Sequence, residues 1–210
     1  MSMHAYELLK GRKAGILGQG ELQAAAVVVP LVEHEGQVKV LFEERSLNLN
    51  RQPGEICFPG GGIEPSDMNP AQAALRETCE ELGIGSGDIE CIAPLDVFLT
   101  PYNLVVYPYL AQIRDYSLIQ PNYSEIKSVF CVPLDYLRST QPIVQELKVV
   151  LSLPEDFPFD LIPGGRNYPW KNGVYQVYFY IYNEWVIWGL TARILNNFLT
   201  LLDRVEQSLK

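Results

Sequence analysis

Histidine is nearly missing from this 210-residue sequence: only His4 and His34 occur. A nucleophile activated by imidazole, as in Ser–His or Cys–His pairs, therefore has no support here. The four cysteines, Cys57, Cys79, Cys91 and Cys131, form no CxxC pair, which with the scarce histidine argues against a zinc site. Cys57, Cys91 and Cys131 stand among apolar neighbours and read as buried, reduced thiols. Basic residues are in deficit, 16 against 25 acids for a net charge of −9, and no basic run occurs. That balance makes a poor nonspecific binder of nucleic acid or an anionic membrane, so neither is expected as a partner. No stretch approaches the ~18 uninterrupted apolar residues of a membrane span. The opening residues MSMHAYELLKGRKAG lack the apolar core of a secretory leader, so the expectation is a cytoplasmic protein. The sequon Asn122-Tyr123-Ser124 is then incidental. Repeats and low-complexity tracts are also missing.

What is present is ordinary globular material: 48% hydrophobic and 20% charged residues. A chain of this length buries roughly 70% of its unfolded surface, enough for a core without disulfides. The reading is one domain over residues 1–210, with an N-terminal extension at 1–20 and a Pro- and Gly-rich elaborated loop region at 141–172. Residues 3–11 read as a short helix. Ala24–Glu33 and Gln37–Glu44 read as a strand hairpin, and Gly54–Gly62 is rich in turn residues. Pro70–Leu82 is the clearest helix, with Ala71, Ala74, Leu75, Thr78, Cys79 and Leu82 at helical spacing. Asn69-Pro70 starts it and Gly83 ends it. Further strands are expected at Ile89–Phe98, Leu104–Ile113, Ser128–Val132, Leu147–Leu151 and Val174–Tyr182. Helices are expected at Pro133–Arg138 and Val186–Leu209. Mixed strands with flanking helices indicate an α/β sandwich.

The chemistry concentrates on one helix. Glu77 and Glu81 are four apart and share a face, flanked by Glu80; together they point about 140° from the apolar stripe. Like charges at this spacing disfavour the helix by about 0.2–0.5 kcal/mol. Acids in the last turns also oppose the macrodipole, by about 0.3–1 kcal/mol each. Carboxylates set against both rules point to function. A hard cation reverses both terms, and Mg²⁺ favours one or two carboxylates plus phosphate oxygens. Just upstream, Gly60-Gly61-Gly62 lets backbone approach an ion or ligand closely.

Gly61–Ile84, reading GGIEPSDMNPAQAALRETCEELGI, resembles the box of the Nudix hydrolase superfamily, G-x5-E-x7-R-E-U-x-E-E-x-G-U. Arg76, Glu77, Glu80, Glu81, Gly83 and Ile84 match. Thr78 replaces the apolar residue after Glu77, and the isolated box Glu falls on Met68, with Asp67 the nearest acid. The resemblance narrows over Arg45–Gly61 to the coenzyme A pyrophosphatase branch, L-L-T-x-R-[SA]-x3-R-x3-G-x3-F-P-G-G. Arg45, Ser46, Gly54, Phe58, Pro59, Gly60 and Gly61 match. Leu41-Phe42-Glu43 stands in place of Leu-Leu-Thr, Asn50 replaces the second Arg, and Arg51 is shifted by one.

The resemblance implies a Nudix-type α/β/α sandwich with a mixed β-sheet. It implies an enzyme that uses Mg²⁺ or Mn²⁺ to hydrolyse the diphosphate of coenzyme A or a derivative to 4′-phosphopantetheine and 3′,5′-ADP, by water attack at phosphorus. Glu77 and Glu81 would be the chief metal ligands, with Glu80 a third ligand or the holder of a bound water and the Gly61 (or Gly60) carbonyl a further ligand. Arg76 would orient a carboxylate, Arg45 and Arg51 would contact phosphate, and Glu125 would serve as base or extra ligand. ADP-ribose, a dinucleotide or a nucleoside triphosphate stays open as substrate, as does a Nudix module that binds without turnover. The expected partner is a coenzyme A-like small molecule; a homodimer is left open. The charge also localises: residues 60–90 hold seven acids and one base, a net −6 of the −9. An acidic patch that repels polyanions would bring in a small diphosphate through a cation.

Overall fold

A computed structural model describes residues 5–209. A 3₁₀ turn at Ala5–Leu9 stands where the first short helix was expected; the part of that expectation before residue 5 lies outside the described residues. Strands β1 (Gln23–His34) and β2 (Gln37–Arg45) form the expected hairpin, closed by Glu35 and Gly36 at positive φ. Two short strands follow, β3 (Ile56–Cys57) on β2 and β4 (Gly60–Gly62) on β1. Helix α1 spans Pro70–Leu82 as expected. The Asn69 side chain accepts the Gln72 amide at 3.0 Å, and Gly83 caps the other end at φ 62.

The expected strand Ile89–Phe98 is broken into β5 (Ile89–Pro94) and β6 (Phe98–Leu99). A register shift falls between Cys91 and Ala93, and Pro94 ends the first piece, having no amide to continue the ladder. Strand β7 (Leu104–Ile113) runs parallel to β1, while all other pairings are antiparallel, so the sheet is mixed. Its main path is β3-β2-β1-β7-β5. Strand β8 (Ile126–Pro133) pairs with β2 and leads into α2 (Leu134–Ser139).

The elaborated loop region holds its strand earlier than expected, as β9 (Ile143–Val149), paired with β10 (Gly173–Tyr182). The expectation of a helix from Val186 is corrected. Trp185–Trp188 forms β11, which hairpins back on β10 through Asn183 at φ 52, and α3 begins only at Gly189 and runs to Ser208.

Alternation along β1 and β2 divides the core. Ala26, Val28, Val32 and Leu41 face α1 with Ala73, Ala74 and Leu82. Val29, Val40 and Phe42 face the other way, toward α3 and the β9–β11 sheet, with Ile187, Leu195 and Phe198. The result is the expected α/β/α sandwich. All four cysteines are free, as expected of reduced thiols, and they are partly buried where Cys57, Cys91 and Cys131 were expected to be buried. Among the described residues no helix is long and apolar enough to cross a membrane.

Candidate active site

Helix α1 is rotated relative to its sequence pattern. Its buried residues are Ala73, Ala74, Thr78, Glu81 and Leu82, so Glu81 belongs to the buried arc and Leu75 and Cys79 lie at its margin. The helix packs on β1 and on the glycine strand β4, where the missing side chain of Gly61 leaves room for this approach. A β-carbon on Gly61 would stand 2.5 Å from the Glu77 carboxyl carbon, so glycine is required for that carboxylate to lie against the chain.

Glu81 is only 5% exposed, and its Oε2 accepts the Gly60 amide at 2.8 Å. Burial, reinforced by the neighbouring Glu43 charge, pushes its pKa up to about 9. Glu77 is half-buried; burial raises its pKa while Arg76 opposes the rise. Glu80 is exposed. Arg76 holds Glu77 at 2.9 Å and Glu80 at 3.2 Å from the same Nη1. The other side of the guanidinium forks onto Asp67, which burial has left almost no solvent contact along its side chain. Arg76 thus stands at ion-pair distance from the carboxylates of Asp67, Glu77 and Glu80.

The structure brings Glu77, Glu81, Gly61 and Arg76 together and turns Glu80 outward. Among the described residues no group of three or more His, Cys, Asp or Glu side chains stands at metal-holding geometry. The donors nevertheless fit a hard cation: they are carboxylate and carbonyl oxygens, clustered around a glycine surface that any side chain would fill.

One residue of this site was not anticipated. Glu43 on β2 is 1% exposed, accepts the Cys57 thiol at 3.2 Å, and leaves its Oε2 buried without a partner. Burial raises its pKa to about 7 and drives the Cys57 thiol well up. The signal was Glu43's place two residues after Leu41, on the same face of β2 as the helix-facing core.

Arg45 follows on β2. Its charge favours the ionised forms of Glu43 and Glu81, its Nη2 donates to the Arg51 carbonyl at 3.4 Å, and its Nε is buried without a partner. Arg45 and Cys57 also line a cavity of about 290 Å³ walled by Tyr102, Leu147, Tyr175 and Trp188. The Arg51 side chain is exposed, and its tie to this site is through its carbonyl. Glu125 is exposed on a loop that the Asn122 amide ties to the Glu81 carbonyl at 2.8 Å. Its charge reaches Glu43 and Glu77.

A model of the NUDIX domain matches residues 21–152. The chain is 37% identical over 121 residues to the peroxisomal coenzyme A diphosphatase NUDT7 of Mus musculus, covering 58% of this chain and 51% of that protein. It is 37% identical over 121 residues to the mitochondrial coenzyme A diphosphatase NUDT8 of Homo sapiens, covering 56% and 51%. It is 30% identical over 186 residues to Nudix hydrolase 3 of Caenorhabditis elegans, covering 86% and 73%. The chain spans about half the length of the two diphosphatases.

These relatives correct the cytoplasmic expectation, since one is named peroxisomal and another mitochondrial. The physical reason is that organellar addresses are short receptor-read or amphipathic segments, which a missing apolar leader says nothing about. The length of the matched span, and a relative of which the chain covers 73% at 30% identity, establish that this chain belongs to the Nudix hydrolase family.

Proposed function

We propose that this chain is a Mg²⁺- or Mn²⁺-dependent pyrophosphatase that cleaves the diphosphate of coenzyme A or a derivative to 4′-phosphopantetheine and 3′,5′-ADP. The observation that carries the reading is the Glu81 carboxylate, buried with one amide donor and within electrostatic reach of Glu43 and Glu77. A carboxylate so placed is costly unless a cation offsets it.

Glu77, Glu81 and the Gly61 carbonyl would hold the cation, with Glu80 available at the rim. Bound there, it supplies charge neutralisation at the pyrophosphate oxygens. Arg76 keeps Glu77 in place through its Asp67 anchor. Arg45 presents a guanidinium to a phosphate oxygen between the carboxylates and the cavity, and the exposed Arg51, whose carbonyl accepts from Arg45, adds positive charge. Glu125, on its exposed loop, takes the proton of the attacking water. Coenzyme A as the substrate is supported by the names of two relatives and by the match over Arg45–Gly61.

The test is a substrate panel with Mg²⁺ or Mn²⁺ and product analysis. Coenzyme A should give 3′,5′-ADP. A preference for ADP-ribose by more than about tenfold in kcat/KM, roughly 1.4 kcal/mol, overturns the substrate assignment. Binding of these diphosphates with no turnover of any overturns the enzyme assignment.

A further inference from the structure

We propose that Glu43 is a ligand of the divalent cation, reaching the carboxylates of α1 from the opposite side, on strand β2. The inference rests on the metal-dependent reading above and extends it to a residue outside the helix.

Glu43 is one of two adjacent buried acids, and the contrast between them is informative. Glu44 has both oxygens occupied: Oε1 accepts the Lys127 ammonium at 2.7 Å and Oε2 the Ser128 hydroxyl at 3.0 Å. Glu43, although more deeply buried, has one oxygen on the Cys57 thiol and the other on nothing. Buried polar atoms in folded proteins are almost always paired, so an orphaned carboxylate oxygen points to a partner from outside the chain. Strand alternation sends Glu43 to the α1 face, where its charge is felt at Glu81 and where Cys57 lies under the influence of both. A cation satisfies a carboxylate oxygen that faces other carboxylates, and it removes the repulsion between them.

The Cys57 thiol has a defined part in this. Paired directly across from Glu43 in the β2–β3 ladder, it donates to one oxygen and so fixes the carboxylate while leaving the other oxygen unpartnered. It is a positioning residue. Glu80, exposed on Arg76, is correspondingly less central. The coenzyme A signature has Thr at the Glu43 position, so the extra carboxylate distinguishes this chain from the pattern it otherwise follows.

The experiment uses the full chain stripped with chelator and titrated with Mn²⁺, read by electron paramagnetic resonance and calorimetry. Glu43→Gln and Glu43→Thr should raise the Mn²⁺ Kd by about ten- to a hundredfold. Glu44→Gln, whose partners lie elsewhere, should stay within about twofold of the parent. Parent-like affinity in folded Glu43→Gln overturns the inference. A measurement on the unaltered chain guards against variants that fail to fold: in ¹³C-labelled protein, Mn²⁺ should broaden the Glu43 and Cys57 side-chain signals together with that of Glu81. Broadening at Glu81 that spares Glu43 overturns the inference and leaves the metal-dependent reading standing. An unaltered chain that binds no Mn²⁺ overturns both.

Discussion

The Arg76 guanidinium forks onto Asp67, Nε to Oδ1 and Nη2 to Oδ2, each at 3.1 Å. This pair fixes the guanidinium, and the remaining nitrogen fixes Glu77 at 2.9 Å. Asp67 therefore acts on the site at one remove. Asp67→Asn keeps the shape but loses one acceptor and the charge. It should lower kcat by about ten- to a hundredfold, the usual cost of losing a group that orients a ligand, with KM changing less. Steady-state kinetics with saturating Mg²⁺ checks the split. An unchanged kcat would separate Arg76 orientation from catalysis.

Gly61 gives a steric prediction. A β-carbon there meets the Glu77 carboxylate at 2.5 Å, and the side chain can escape only by leaving its place. Gly61→Ala should cut turnover by about a hundredfold or more, since small misplacements of a reacting geometry are expensive. The exposed Gly62, whose added β-carbon would meet nothing, should tolerate Ala with activity nearly unchanged. Kinetics on both variants, with circular dichroism to verify the fold, distinguishes a positional effect from general loop damage.

The buried carboxylates make metal-free stability depend on pH in a definite sense. Glu81 is raised to about 9 and Glu43 to about 7 in the folded chain. Unfolded, each titrates near the ordinary carboxylate value of about 4.3. Raised folded values mean that the folded state binds more protons. Their contribution is complete below about pH 4.3 and is lost as pH rises toward about 9. Of the other groups facing them, Arg45 opposes the rise at both, while Glu125 adds to it at Glu43 and Glu77 adds to it at Glu81. In chelator, thermal unfolding should therefore show a Tm falling across that window. Glu81→Gln, neutral at every pH, should flatten the fall and unfold at higher temperature than the parent at pH 8. The same variant should lose most turnover. A Tm that rises from pH 5 to 8 in chelator would contradict the burial of these charges.

How much of this was legible in the sequence differs by element. Helix α1 was readable to the residue because its ends are written in local chemistry, Asn69 at one end and the left-handed Gly83 at the other. The rotation of that helix was not, because the pattern counts Glu81 as polar surface. Only the glycine strand and β1 packed beneath it show that the acid is inside. Glu43 was hidden for a related reason. Lys39–Glu44 of β2 are all buried, so the apolar–polar alternation that marks a one-sided strand is lost. Strand β11 was missed because Trp185–Trp188 is an apolar run too short to separate from the helix that follows it. The discriminating cue was local: Asn183 at positive φ, a turn residue between two aromatic-rich runs.

Arg45 closes the set because it stands where the two halves of the site meet. Its charge acts on Glu43 and Glu81 on one side, and on the other it lines the cavity with Tyr102, Tyr175 and Trp188. A buried Nε without an acceptor is a donor waiting for an anion, and a guanidinium fork matches two phosphate oxygens where an ammonium matches one. Arg45→Lys keeps the charge and removes the fork. It should lower kcat/KM for the diphosphate by about tenfold or more, roughly 1.4 kcal/mol, and should weaken inhibition by 3′,5′-ADP in parallel. If Arg45 only balanced the carboxylates, Lys would serve as well, and product affinity would not move. Inhibition constants for 3′,5′-ADP in the two proteins decide between a guanidinium that grips phosphate and one that merely offsets buried charge.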